Sequence, residues 1–201
     1  MRSLYNFIIT PKESRYTNTK KINDTELILN TEIQNHQYVS REGIVLETPI
    51  AEKTGIQKGD TVIVHHNVFR RFHDIRGEEK NSKSYFEEDK YFVYSDQIFL
   101  YKRNKKWHAP DGYCFVQPIK NKDTFSTEPE QPLIGILKYA DKTLLANGIK
   151  EGDLVGFKPN SEYEFIIDGK RLYRVLTKLI TIKYEYQGDE EEYNPSWLQG
   201  S

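Results

Sequence analysis

The sequence predicts an all-β protein with two tandem β-barrels. Three observations lead to this prediction: the residue usage, the alternation of short strand-like segments with turns, and one pattern that occurs twice. The chain of 201 residues has 14 Tyr and 10 Phe but a single Met, and aromatic and β-branched residues favour strands. Domains most often have about 100 to 150 residues, so this length allows one large domain or two small ones.

The first half of the chain alternates strand-like segments with turns. YNFIIT ends at Pro11, EGIVLETPI begins at Glu42, and TVIVHHNVF begins at Thr61 with a β-branched, buried-looking run. YFEEDKYFVYSDQIFLYKR then predicts two short strands. We expect a first barrel over residues 1–103 and a linker over 104–110, because charge, Pro and Asp-Gly occur together in the nine residues NKKWHAPDG that begin at Asn104.

The pattern then starts again. GIQKGDTV corresponds to GIKEGDLV, so that Gly59 and Asp60 match Gly152 and Asp153. Glycine permits a positive φ, and an aspartate side chain can accept hydrogen bonds from nearby backbone amides. We therefore interpret both Gly-Asp pairs as structural turns.

The repeat also sets the limits of the second half. Upstream of the turn, Gly43 matches Gly135, with a slip of one residue in the strand that follows. Downstream, KYFVYSDQIFLYK matches KRLYRVLTKLITIKY. We expect a second barrel over residues 111–186 and an acidic C-terminal tail over 187–201. The tail contains one apolar anchor, Trp197.

A long polar segment separates the first two strands. Residues 12–40 contain neither Gly nor Pro, and connections longer than about 12 to 15 residues are usually functional or disordered. Within the segment, Leu27, Ile28 and Leu29 form an aliphatic tripeptide. It is either an added strand over residues 26–33 with alternate side chains pointing inward, or a segment that binds a partner. The second repeat has no such tripeptide at this place, which favours a partner.

Several functions are not expected. The net charge of −1 argues against nucleic acid as a partner, and Cys114, the single cysteine, allows no internal disulfide. His65, His66 and His73 lie near Asp74, but neighbouring histidines on a strand point to opposite faces, so we expect no metal. The sequence has no catalytic motif such as Gly-x-Ser-x-Gly and no Gly-x-Gly-x-x-Gly. We expect no enzyme, no cofactor and no membrane span, and a cytoplasmic location.

The order of these segments resembles the GroES co-chaperonin family. YNFIITPKE is similar to the family's opening strand, and the segment with Leu27 to Leu29 to its mobile loop. EGIVLE, IQKGDTVIV and YFVYSDQIFLYK follow in the family's order. The resemblance covers Tyr5 to Lys102 well and Gly112 to Tyr184 more loosely. It implies two tandem GroES-like β-barrels, with a mobile loop over residues 14–40 in the first.

The resemblance also implies a function. Such a protein forms a homo-oligomeric ring that caps a GroEL-type chaperonin and assists ATP-dependent protein folding. The tripeptide Leu27, Ile28 and Leu29 would dock in an apical groove of the chaperonin. The chain departs from the family at Thr25 and Glu26, where the family has Gly-Gly. Its Lys-, Asn-, Ile- and Tyr-rich composition is typical of low-GC bacteria and their phages.

A structural ring protein, for example of a phage virion, is the alternative. It would use the same barrels for assembly, with residues 23–34 inserted into a neighbouring subunit.

Overall fold

Of the residues that the structure describes, 48% lie in strands and almost none in helices, which confirms the predicted all-β class. The computed structural model describes residues 2–16, 19–22, 25–28, 38–123, 125–185 and 188–195, with the backbone alone for 19–22 and 25–28. The chain divides into two compact units, Met1–Lys106 and Trp107–Ser201. In the described part of the chain, no helix has the length and apolar character needed to cross a membrane.

The first unit contains a seven-stranded sheet except for the end of its last strand, which runs past Lys106. The strands in chain order are β1 (Phe7–Pro11), β2 (Thr19–Ile22), β3 (Thr25–Ile28), β4 (Glu42–Glu47), β5 (Thr61–Val64), β6 (Arg71–His73), β7 (Glu79–Asn81), β8 (Tyr85–Glu87), β9 (Lys90–Val93), β10 (Ile98–Arg103) and β11 (Lys106–His108). The order in the main sheet is β11-β10-β5-β4-β1-β9-β8. β2 with β3, and β6 with β7, form two further two-stranded sheets.

The second unit is built on a six-stranded sheet. Its elements are β12 (Tyr113–Lys120), β13 (Glu130–Tyr139), α1 (Lys142–Ala146), β14 (Leu154–Phe157), β15 (Tyr163–Ile167), β16 (Lys170–Leu176) and β17 (Ile180–Tyr184). The order in the sheet is β15-β16-β12-β13-β14-β17.

The two sheets share one strand order. Reading from β10, the first sheet runs β10-β5-β4-β1-β9-β8, and reading from β17, the second runs β17-β14-β13-β12-β16-β15. Each strand of the second unit therefore takes the place of one strand of the first, in the same sequence along the chain. The repeat in the sequence has a counterpart in the fold.

The register of the strands repeats as well. Pro11 pairs with Gly43 across β1 and β4, and Pro118 pairs with Gly135 across β12 and β13. The register shifts at the equivalent place in both pairs, between Ile8 and Ile9 in the first unit. The residues after each glycine pair in step, so the one-residue slip that the sequence predicts after Gly135 is wrong.

Within the residues that the structure describes, neither main sheet closes into a barrel. The first ends at β11 and β8, and the second ends at β15 and β17. The expected closed barrels are therefore corrected to open sheets. Local patterning predicts which segments are strands, whereas closure requires pairing between the first and last strands and a matching stagger.

Each unit has its own hydrophobic core. In the first, Phe69 packs edge-on against Tyr91 with ring centroids 4.9 Å apart, and both residues are fully buried. The core of the second unit contains Cys114 and Val175, and burial raises the pKa of the Cys114 thiol to about 12. Cys114 is thus a small core residue and a poor nucleophile.

The units differ in their connections. Between β5 and β8 the first unit carries residues 65–84, which include the β6–β7 hairpin, whereas a short turn joins β14 to β15. Between β13 and β14 the second unit has α1, whose N-cap is the buried Asp141. The Asp141 carboxylate accepts hydrogen bonds from the N–H groups of Leu144 and Gly112, both at 2.9 Å.

The segments that the sequence marks as linker and tail have structure in their described parts. Asn104 and Lys105, with φ of 50° and 64°, form a turn between β10 and β11. Such a pair of positive φ values fits the twist of a β-hairpin.

Candidate partner-binding loop

The predicted mobile loop, residues 14–40, leaves the first unit at a closed stem. Tyr16 forms an antiparallel β-bridge with Val39, and the N–H of Ser40 donates to the carbonyl of Arg15 at 2.9 Å. Val39 is buried in the core of the unit. We call residues 14–40 the first loop. Its stem holds Tyr16 and Val39 side by side.

Side chains fasten this stem to residues 65–84. Nε of Arg15 donates to the carbonyl of Phe69 at 3.2 Å, and the Tyr16 hydroxyl accepts a hydrogen bond from the N–H of Arg71 at 2.7 Å. The Arg71 guanidinium also lies over the Tyr16 ring, 5.0 Å from its centroid. Sequence reasoning missed these residues, because the partners are 54 and 55 positions apart and no local pattern connects them.

Two of the three predicted partner-binding residues lie in a strand of the first loop. Leu27 pairs with Lys20, and Ile28 pairs with Thr19, across the antiparallel β2–β3 pair. Leu29 lies outside the described residues. In the described part of the chain this pair forms a sheet of its own and joins neither main sheet. The binding role of Leu27, Ile28 and Leu29 stays a prediction.

The second unit has a shorter loop at the equivalent place. Residues 121–129, which we call the second loop, connect β12 to β13 as the first loop connects β1 to β4. Lys120 pairs with Glu130 at its base. Phe125 in this loop is 96% exposed. The sequence already contained this signal, since Phe125 is the single aromatic residue in an otherwise polar stretch.

The two Gly-Asp turns have matching backbone geometry. Gly59 and Gly152 have φ of 88° and 94°. Each donates its N–H at 2.8 Å to a carbonyl of the neighbouring strand, Val45 in the first unit and Leu137 in the second. The aspartate after each glycine accepts a hydrogen bond from a backbone N–H three residues earlier in the same turn. This is the geometry of a structural turn.

Asp60 and Asp153 each cap their turn and bind a cation on the last strand of the repeat. Asp60 accepts hydrogen bonds from the N–H of Gln57 at 2.8 Å and from Nε of Arg103 at 3.0 Å. The bond to Asp60 raises the pKa of Arg103 above its usual value.

Asp153 makes the corresponding contacts, with a lysine in place of the arginine. It accepts from the N–H of Lys150 at 2.8 Å and from Nζ of Lys183 at 2.6 Å. Burial alone would raise the pKa of Asp153, but these two bonds outweigh it and lower the pKa below its usual value.

A buried ionic cluster joins three strands of the second unit. Arg171 donates from Nε to Glu164 at 2.7 Å and also pairs with Glu130. The Tyr173 hydroxyl donates to Glu130 at 2.6 Å and accepts from Arg171. Burial, followed by the bond to Glu130, raises the pKa of Tyr173. The members bond one another, so the cluster ties β13, β15 and β16 together and has no arrangement typical of catalysis.

The histidines lie differently from the expectation. His65 and His66 follow β5 in a turn, and their rings lie against each other at a tilt of 32° with centroids 4.2 Å apart, so they do not point to opposite faces of a strand. The expectation assumed that β5 continues through both residues, but the strand ends at Val64. Within the described residues, no group of three or more His, Cys, Asp or Glu side chains could hold a metal ion.

The acidic segment packs onto the second unit in its described part, residues 188–195. Tyr193 donates its N–H to the Pro118 carbonyl at 2.9 Å. Glu192 pairs with Lys138 at 2.5 Å and with Lys170 at 3.1 Å, and the bond from Lys138 lowers the pKa of Glu192. Trp197 lies outside the described residues.

No protein-family model matches the chain, and no curated protein matches it.

Proposed function

We propose that the protein is a GroES-like co-chaperonin with two tandem repeats. It forms a homo-oligomeric ring in the cytoplasm, caps a GroEL-type chaperonin and assists ATP-dependent protein folding, with no enzymatic activity of its own. The supporting sequence features are the order of segments and the tripeptide Leu27, Ile28 and Leu29. The structural observation that carries the proposal is the first loop, in which the strand pair with Leu27 and Ile28 forms a sheet of its own and the stem at Tyr16 and Val39 is fastened to the first unit.

The stem suits a segment that must bind and release. Burial of an aliphatic side chain contributes about 1.5 to 3 kcal/mol, whereas ordering each loop residue costs about 1 kcal/mol or more. A single loop therefore binds weakly, and the fastened ends at Tyr16 and Val39 limit the part of the chain that must be ordered. Several loops on one ring gain avidity through effective concentration, and each contact stays reversible.

The test uses the full chain and a purified GroEL-type chaperonin. Wild type should form a complex that depends on ATP or ADP and co-elutes in size-exclusion chromatography. The triple variant Leu27→Ala, Ile28→Ala, Leu29→Ala should keep the ring mass in native mass spectrometry and lose the complex. Ile75→Ala is the matched control, because Ile75 is a fully exposed aliphatic residue on the β6–β7 turn, outside the first loop. Absence of a wild-type complex with either nucleotide would refute the proposal.

A structural ring or adaptor protein, for example of a phage virion, is the second candidate. The open sheets favour it, because unpaired edge strands are templates for pairing with another chain. β17 is such an edge, and its Ile182 is half exposed. Under this alternative the triple alanine variant breaks self-assembly, and the wild-type ring does not bind the chaperonin.

A further inference from the structure

Three side chains of the first unit carry buried donor groups without a hydrogen-bond partner. Among the described residues, these groups are Nη2 of Arg15, Nε of Arg71 and the hydroxyl of Tyr91. Tyr91 as a whole is fully buried. Buried polar groups in proteins are nearly always hydrogen-bonded, so an unpartnered group indicates a site for a water molecule or an ion. Three such donors therefore call for a common acceptor.

The packing of the stem brings these side chains together. The Arg15 guanidinium lies 5.3 Å from the centroid of the Tyr91 ring, and its Nε donates to the Phe69 carbonyl. Arg71 follows Phe69 by two residues, and its N–H donates to the hydroxyl of Tyr16, the residue after Arg15. Arg15, Arg71 and Tyr91 thus belong to one neighbourhood within the first unit.

The charges in this neighbourhood favour an anion. Arg71 pairs through Nη1 with Glu79 at 2.7 Å. In the described part of the chain, the Arg15 side chain contacts the Phe69 carbonyl and the Tyr91 ring, and neither group carries a full negative charge. Asp89, the carboxylate whose charge acts on Tyr91, is exposed to solvent. One guanidinium charge of the pair is therefore not balanced at close range.

Tyr91 can donate to such an anion at neutral pH. Burial raises the pKa of its hydroxyl to about 12, against the charges of Arg15 and Arg71, which lower it. The hydroxyl therefore keeps its proton. A guanidinium group has donors and no acceptor, and it binds oxyanions such as phosphate more strongly than neutral acceptors. An oxyanion is the acceptor that suits all three groups.

We propose that Arg15, Arg71 and Tyr91 form a binding site for a small oxyanion, inorganic phosphate. Nη2 of Arg15, Nε of Arg71 and the Tyr91 hydroxyl each donate to an oxygen of the ion. Arg15 and Arg71 are partly exposed, so the ion reaches their guanidinium groups from solvent. The bound ion links the stem of the first loop to β6 and β9. The site requires no chaperonin, so it does not depend on the proposed function.

Isothermal titration calorimetry of the full chain with sodium phosphate, at an ionic strength held constant with chloride, tests the site. Wild type should bind one phosphate per chain in a saturable manner, and phosphate should raise its thermal midpoint. Tyr91→Phe keeps the ring that packs on Phe69 and removes one donor to a charged group, so it should weaken the affinity about tenfold. Arg15→Gln should abolish saturable binding.

A control variant and a second ligand make the test specific. Arg174 in the second unit also lies over a tyrosine ring, 5.4 Å from the centroid of Tyr113, so Arg174→Gln is the matched control and should bind phosphate as wild type does. Glycerol 3-phosphate should bind at least tenfold more weakly than phosphate, because the buried Tyr91 hydroxyl favours an ion without a substituent. Far-UV circular dichroism checks that each variant is folded.

Several outcomes would overturn the inference. These are the absence of saturable phosphate binding by wild type, wild-type affinity in Tyr91→Phe, and an equal loss of affinity in Arg174→Gln, which would indicate a general effect of charge. Equal or tighter binding of glycerol 3-phosphate would overturn the assignment to the free ion. If Arg15→Gln does not fold, Tyr91→Phe carries the test. Chaperonin binding is measured separately, so a failure here leaves the proposed function standing.

Discussion

We expect Asp60→Ala to lower the free energy of unfolding more than Asp153→Ala does, although the two aspartates hold equivalent turns. The reason lies in their cationic partners. The side chains of Asp60 and Arg103 are 6% and 29% exposed, and those of Asp153 and Lys183 are 12% and 44% exposed. Arg103 contacts Asp60 with two nitrogens, Nε and Nη2, whereas Lys183 contacts Asp153 with one.

The magnitudes follow from these contacts. Hydrogen bonds to a charged group contribute about 1.5 to 3 kcal/mol, whereas an exposed ion pair contributes about 0 to 1 kcal/mol. Asp60→Ala loses the Gln57 amide bond and a paired, mostly buried guanidinium contact, for a cost of about 3 to 4 kcal/mol. Asp153→Ala loses the Lys150 amide bond and a pair whose lysine is exposed, for a cost of about 2 kcal/mol.

Urea denaturation followed by far-UV circular dichroism measures both costs. Hydrogen exchange at the amides of Gln57 and Lys150 assigns each loss to its own turn. A double-variant cycle of Asp60→Ala with Arg103→Ala isolates the ion pair, and its coupling energy should account for about half of the Asp60 effect, as expected for a paired contact. Equal costs for the two alanine variants, or a larger cost for Asp153→Ala, would refute the reasoning.

The Asp153 substitution should also show a defined pH dependence. Because the pKa of Asp153 is lowered in the folded protein, its contribution to stability is present above the unfolded-chain value of about 3.9. It is lost as the pH falls through the lower folded-state pKa. The difference in stability between wild type and Asp153→Ala should therefore be constant near neutral pH and shrink in strong acid.

Two further predictions compare equivalent positions. Among the described residues the buried Tyr91 hydroxyl has no hydrogen-bond partner, so Tyr91→Phe should leave the free energy of unfolding unchanged or raise it by about 1 kcal/mol. Tyr173→Phe loses the bond to Glu130 and should lower it by about 2 kcal/mol in the same urea assay; the reverse order would contradict this. Burial raises the pKa of Tyr91 to about 12, so the part of the free energy of unfolding that depends on its ionisation should be constant below the unfolded value of about 10 and fall as the pH rises through 12; Tyr91→Phe should remove that part of the fall. Gly135→Ala should lower the thermal midpoint more than Gly43→Ala, because the added Cβ would lie 2.4 Å from a carbonyl oxygen of the neighbouring strand at Gly135 and 3.0 Å from one at Gly43; equal midpoints would contradict the close approach.

The sequence was sufficient for those features that local patterns encode. Strand segments follow from alternation and from aromatic and β-branched residues, and the Gly-Asp turns follow from the need for a positive φ before a capping carboxylate. The repeat was visible because Gly59 and Asp60 match Gly152 and Asp153 at a fixed place between two strands. These features predict the order of the strands along the chain, but they do not determine whether the sheet closes into a barrel.

Features that depend on distant partners could not be predicted. The acidic run suggests a solvated tail, but Glu192 meets Lys138 and Lys170, which are 54 and 22 positions away. The contacts of the first loop's stem likewise join residues from separate segments, such as Arg15 and Phe69. In the same way the end of β5 at Val64, after which two histidine rings come together, does not follow from the β-branched run before it.

The differences between the two repeats bear directly on function. The repeats agree in the main sheet, at the paired prolines and glycines and at the Gly-Asp turns. They differ in one connection: the loop between β1 and β4 is much longer than the loop between β12 and β13. A loop whose only role was to connect two strands would need no more than the second unit uses. The first unit instead extends this loop and fastens its stem through Tyr16 to residues 65–84, a segment without a counterpart in the second unit. The extra segment and the long loop therefore form one addition to the repeat. Arg71→Pro removes the N–H that donates to Tyr16, so it should loosen the stem and weaken the proposed binding to the chaperonin, while the second unit stays folded.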